Sequence, residues 1–197
     1  INTSWGGTRI EPWTPAAGFA AVPRTAALLE QVTLANPASA QYKERLQDHL
    51  ATVETWLAAA RTALTEEQVL TPRPDFPREL LPLGARTDPS ALYHGMVHPI
   101  VPFGIRGAIW YQGESNLRDA HLYYHKMQAL IAGWRQVWQQ PEMPFYWVQL
   151  APYTYGGSSP RALPRLWEAQ TRALDIPNTG MAVINDIGNL KDIHPRN

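Results

Sequence analysis

The chain of 197 residues is 45% hydrophobic and 17% charged, enough apolar material for one domain with a real core. Its formal net charge is zero and no basic block occurs, so nothing points to nucleic acid or an anionic membrane surface as partner. Cysteine is absent, which excludes disulfides, thiolate zinc sites and a cysteine nucleophile; no run approaches the ~18 apolar residues of a membrane helix.

In chain order, Ile1 to Thr8 reads as the end of a strand followed by a Gly6-Gly7 turn, where backbone amides can approach a ligand closely. A short helix is expected from about Arg24 to Leu34, closed by Asn36-Pro37. From Ala38 to Gln68, Tyr42, Leu46, Leu50, Val53, Leu57, Ala60 and Leu64 recur at helical spacing, with Ser39 as N-cap. These two helices form a helical insertion over about 20–70, and a Pro-rich loop follows over 71–89. Ser90 to Val97 reads as a further short helix.

Ala108 to Tyr111 is an apolar run short enough for a buried strand, and it ends in Gln112-Gly113-Glu114-Ser115-Asn116. A helix over about Asp119–Gln139 carries Tyr123, Met127, Leu130, Ile131, Trp134 and Trp138 on one stripe. Two more strands are expected, Phe145–Ala151 and Met181–Ile184, separated by a helix around Leu163–Leu174. The alternation of strands and helices predicts an α/β fold with a parallel sheet, its insertion lying between the first two of four strands. Residues 1–197 then form one domain, incomplete at both ends. Polar clusters follow all four strands, at Trp5–Thr8, Gln112–Asn116, Pro152–Gly157 and Asp186–His194. Parallel strands put them at one edge, where ligands bind in open α/β sheets.

Among these clusters, Asp192 and His194 are the best acid–base candidates, because a carboxylate near an imidazole fixes its tautomer. The Gly6-Gly7 amides and Gln112 are candidate donors to an oxyanion, each such donor being worth about 3–4 kcal/mol in a transition state. Trp5, Tyr111 and Tyr153 are candidate sugar-facing aromatics. His121 and His125 share a helix face but lack a third ligand, so no metal is expected. A retaining glycosidase using Glu11 and Glu114 is a competing chemistry, and requires their carboxyls about 5–5.5 Å apart.

Five strings occur in order: Ser4-Trp-Gly-Gly-Thr8, Ile10-Glu-x-Trp13, Leu92-Tyr-x-Gly-Met96, Trp110-Tyr-Gln-Gly-Glu-Ser-Asn116, and Asp186-Ile-Gly188 with Asp192-Ile-His-Pro195. The set resembles the sialate O-acetylesterases, a branch of the SGNH (GDSL-like) hydrolases. The resemblance implies a three-layer α/β/α flavodoxin-like domain that removes O-acetyl groups from sugars without a cofactor or metal. It implies His194 as base with Asp192 its partner (Asp186 in reserve), Gly6, Gly7 and Gln112 as oxyanion hole, and Trp5, Glu114 and Asn116 as supporting residues. The family's nucleophile, a Ser in a Gly-Gln-Ser-Asn-Met type motif upstream of the glycine turn, has no counterpart here. The chain is therefore expected to be a piece of a longer, exported protein whose missing N-terminal segment carries the Ser. An acetylated carbohydrate is the expected substrate, and a non-catalytic sugar-binding domain is the alternative.

Overall fold

The computed structural model describes residues 1–193, which fall into two compact units, Ile1–Leu29 with the chain from Gly84 onward, and Glu30–Leu83. The first unit holds a three-stranded parallel sheet of β1 (Ala108–Trp110), β2 (Phe145–Val148) and β3 (Thr179–Ala182), in that order. Ala108 pairs with Phe145 and Phe145 with Thr179, so the strands start level and end at a common edge.

α4 (Leu122–Val137) joins β1 to β2, and α5 (Ala162–Arg172) joins β2 to β3. With right-handed crossovers, strands laid down in one direction place their helices on one face. The burial pattern agrees: Phe145 and Trp147 are buried with Tyr123, Met127, Leu130 and Ile131 of α4 and Leu166 and Ala169 of α5. Trp110 and Phe145 meet Trp134 edge-on, their ring centres 6.2 and 5.8 Å away. Behind α4 runs α1 (Ala16–Ala21), so close that a Cβ on Gly18 would lie 2.0 Å from the Ala129 carbonyl oxygen. Only glycine permits that approach.

The other face of the sheet is left uncovered by the described residues. Ile109 is 89% exposed and Tyr146 51%, and with Val148, Gly180 and Ala182 they line an open apolar trough of about 410 Å³. Parallel sheets are normally buried on both faces. The sheet is the middle layer of the expected three-layer α/β/α hydrolase fold, with α4 and α5 as one outer layer. In a doubly wound sheet the helices of the opposite layer belong to strands beyond the point where strand order reverses. Among the described strands β1 is one edge of the sheet.

The expected first strand is not formed. Ile1–Ser4 has no regular structure and Ile1 is 82% exposed, because no described strand offers its backbone a ladder. The helical segment therefore precedes the first described strand instead of joining two.

The chain passes along α2 (Ala26–Leu34) into the second unit, which is built on α3 (Ala40–Thr65). Ser39 caps α3, its Oγ accepting from the Tyr42 amide at 3.0 Å. The Pro-rich segment runs back along this helix: the Trp56 indole donates to Thr71 O at 2.9 Å, and Arg45 pairs with Glu79 at 2.8 Å. Of the expected stripe on α3, Tyr42, Leu46, Val53 and Ala60 are half-buried, while Leu50, Leu57 and Leu64 are exposed and His49, Trp56 and Ala63 face inward in their place.

Candidate active site

The site forms where β1 ends. Strand geometry stops at Trp110, and the chain turns through Gln112 and Gly113 into a 3-10 turn over Glu114–Asp119. That turn lies against the loop carrying Gly6 and Gly7, so two clusters far apart in sequence meet. Ser115 Oγ donates to Gly7 O at 3.1 Å, and Gln112 Nε2 donates to Thr8 O at 3.0 Å. The loop after β2 joins them, with Arg118 Nη2 on Gly157 O at 3.2 Å. The segment after β3 reaches that loop in turn, Leu190 O accepting from the Thr154 amide at 3.0 Å. The four polar clusters thus form a chain of contacts along one edge.

Around Gly6 and Gly7, every carbonyl oxygen of Trp5–Thr8 is held. Thr8 Oγ1 donates to Trp5 O (2.7 Å), Arg86 Nη1 to Gly6 O (3.4 Å), Ser115 to Gly7 O and Gln112 to Thr8 O. No described residue accepts a hydrogen bond from the Gly6 or Gly7 amide. Gly7 has φ +71°, a left-handed conformation that a side chain would strain. Successive free amides in such a turn make an anion-binding concavity.

Gln112 is buried and fully engaged. Its second amide hydrogen goes to Asn116 Oδ1 at 2.7 Å, and its Oε1 accepts from Tyr123 Oη at 2.9 Å. Burial pushes the Tyr123 hydroxyl far up, so it stays protonated and donates. The side chain offered by the sequence to an oxyanion therefore has no N–H to spare in this arrangement. Glu114 Oε2 accepts from the Gly113 amide at 3.1 Å.

Beneath Gln112 lies a charge network absent from the sequence reading. Asn116 Nδ2 donates to Glu11 (2.9 Å) and Asp119 (2.6 Å), and Lys126 Nζ reaches both carboxylates, at 2.6 and 2.5 Å. Arg9 pairs with the same two at 2.9 Å each. Burial alone would raise the Glu11 carboxyl, but hydrogen bonds from Arg9, Lys126 and Asn116 outweigh it and hold it at about 2. Glu11 is buried with both carboxylate oxygens engaged by Arg9, Lys126 and Asn116, so it presents no oxygen to a sugar as nucleophile or as acid, which leaves the glycosidase alternative without one of its two carboxyls. The signal was present: Lys126 is a lone cation on the apolar stripe between Tyr123 and Leu130.

Beside the turn is a cleft of about 300 Å³, lined by Arg9, Glu114, Ser115, Arg118, Tyr153 and Tyr155. The two tyrosine rings stack edge-on, 5.0 Å between centres. Trp5 is half-exposed at the turn itself, and Tyr111 is half-exposed at the end of β1. Asp192 is exposed, with its amide on Asn189 Oδ1 at 3.3 Å. His194 lies outside the described residues. Among the described residues no cluster of three or more His, Asp or Glu side chains could hold a metal ion. No helix among them is long and apolar enough to cross a membrane.

Comparison with known proteins bears on this geometry. The family profile for carbohydrate esterases described as sialic acid-specific acetylesterases matches residues 86–195. Sialate O-acetylesterase from Rattus norvegicus is 30% identical over 217 residues, covering 100% of this chain and 36% of the rat protein. The Homo sapiens sialate O-acetylesterase is 32% identical over 137 residues, or 59% of this chain and 26% of the human one. The chain thus spans about a third of the length of these relatives or less. A carbohydrate acetylesterase of solved structure from Xanthomonas citri superposes with a TM-score of 0.53 at 44% identity, over 56% of this chain and 26% of that one.

Proposed function

Because the chain belongs to the carbohydrate esterase family of sialic acid-specific acetylesterases, we propose that it supplies most of the active site of an enzyme that hydrolyses O-acetyl esters of sugars. The observation that carries this reading is the Trp5–Thr8 turn. Its carbonyls are all held from behind while the Gly6 and Gly7 amides have no described acceptor, at the edge where β1 ends. Such fixed donors stabilise charge that appears only in the transition state.

The nucleophile is a serine from polypeptide outside these 197 residues. We place it at the end of a strand that pairs with the free edge of β1, its helix covering the bare sheet face. The serine hydroxyl attacks the acetyl carbonyl carbon and His194 takes its proton. Asp192 holds the imidazole in the required tautomer and favours the imidazolium. The carbonyl oxygen becomes an oxyanion on the Gly6 and Gly7 amides. Gln112 adds a third donor when its bond to Thr8 O is exchanged for one to the oxyanion. Collapse breaks the ester bond, and the sugar oxygen leaves with the proton from His194. Water, deprotonated by His194, then attacks the acetyl-serine and releases acetate with the serine restored. The sugar ring lies against Trp5, Tyr153 and Tyr155, with Glu114 and Asn116 bracing the loop beneath it.

The test is acetate release by the longer polypeptide from O-acetylated sialic acid and from acetylated xylan, followed by chromatography of the sugar. One acetate per acetyl group lost, with the glycan backbone intact, is expected. Sugar binding without acetate release would replace this reading by a non-catalytic domain.

A further inference from the structure

One hydroxyl beside the turn has a fixed direction. Thr8 is buried, and its Oγ1 accepts from the Trp13 indole Nε1 at 3.0 Å. A hydroxyl has a single proton to give. With the indole hydrogen filling an acceptor position, that proton goes to Trp5 O, 2.7 Å away. Trp13 is itself fixed, 97% buried among Trp110 and the α4 side chains, its carbonyl accepting from the Trp134 indole at 3.0 Å.

The consequence lies in the geometry of the peptide unit. Trp5 C=O and Gly6 N–H belong to one planar amide and point in opposite directions. Whatever holds the Trp5 oxygen therefore sets where the Gly6 hydrogen points. Glycine on both sides of the next peptide gives this turn little intrinsic stiffness, so the direction depends on side chains anchored elsewhere. Of the four carbonyl clamps, Arg86 on Gly6 O is long at 3.4 Å and exposed, and Ser115 is exposed too. The bond from Thr8 is the shortest of the four and is backed by a buried partner, as is that from Gln112 to Thr8 O; of these two only the Thr8 bond acts on the Trp5–Gly6 peptide.

We propose that Thr8, oriented by Trp13, is a positioning residue that aims the Gly6 amide at the reacting carbonyl. This rests on the esterase reading above. The relay runs from the core, through the indole and the hydroxyl, to the Trp5–Gly6 peptide. It makes no contact with the sugar, so its loss acts on the transition state and not on substrate affinity.

The experiment measures kcat and KM for acetate release by the longer polypeptide, with Tm recorded for each variant. Thr8→Val keeps the shape and removes the hydroxyl. It lowers kcat by about 10–100-fold, less than the 10²–10³ of a deleted donor, with KM within about threefold. Thr8→Ser restores the hydroxyl and returns kcat to within about threefold of the parent. Trp13→Phe frees the hydroxyl to rotate and lowers kcat several-fold; it carries the test if Thr8→Val does not fold. Full kcat in folded Thr8→Val, or in Trp13→Phe, overturns the positioning role while leaving the esterase standing. An inactive parent protein overturns both, which separates the two failures.

Discussion

Replacing His194 by alanine in the longer polypeptide lowers kcat for acetate release by about 10³–10⁴-fold with little change in KM. General acid–base catalysis by one positioned side chain contributes about 10²–10⁴-fold, and a base that also protonates the leaving group lies at the upper end. The imidazole serves twice in the proposed cycle, for the serine and for the water, so both half-reactions slow. The Gly6 and Gly7 amides remain, which leaves a residual rate above the uncatalysed one. Asp192→Asn shares the loss because the imidazole then lacks its tautomer-setting partner. Asp186→Asn leaves kcat near that of the parent, since Asp192 is the nearer carboxylate in sequence. Equal rates in the parent and His194→Ala would remove His194 from the mechanism.

The largest effect on stability comes from Lys126→Met. Lys126 is 95% buried, and its amino group lies 2.6 Å from Glu11 and 2.5 Å from Asp119. Removing one partner of a buried ion pair leaves uncompensated charge and costs about 3–5 kcal/mol. For a unit of this size that lowers Tm by about 10 °C or more. The second substitution Glu11→Gln, placed on Lys126→Met, recovers much of the loss because the stranded charge is gone. The same network predicts an acid limit. Glu11 is held at about 2, well below its usual 4.5. The folded state therefore binds its proton less readily than the unfolded chain. Its contribution, about 3 kcal/mol, is present above pH ~4.5 and is lost as pH falls from there toward 2. Lys126→Met flattens that slope. Thermal denaturation between pH 3 and 7 measures both effects; a Tm unchanged in Lys126→Met would contradict the network.

The parts that were legible in sequence are those where neighbours along the chain decide the outcome. α4 and the starts of β1 and β2 follow from apolar spacing, whereas β1 ends at Trp110, one residue before the expected Tyr111, and β2 at Val148, three before the expected Ala151. Long-range pairing decided the rest. β3 begins two residues before its apolar run because Thr179 and Gly180 are held in register by Phe145 and Tyr146. α1, Ala-Ala-Gly-Phe-Ala-Ala, is too short and uniform to show a periodicity; it exists because Gly18 fits against α4. In the candidate site, the string Trp110–Asn116 pointed to the end of β1, where the polar clusters meet, but not to the direction of its side chains. Gln112 reads as a free donor until Thr8 and Asn116 are placed around it, and Glu11 reads as an acid until Lys126 arrives from α4, 115 residues away. Such partners are set by topology, which no local pattern encodes.

In the proposed enzyme these residues form an esterase site completed by a serine from elsewhere in the polypeptide. Labelling the longer protein with a fluorophosphonate and locating the adduct by mass spectrometry tests it most directly. One modified serine, outside residues 1–197, is expected, with labelling suppressed in His194→Ala. An adduct on Ser115 or Ser4 would contradict it.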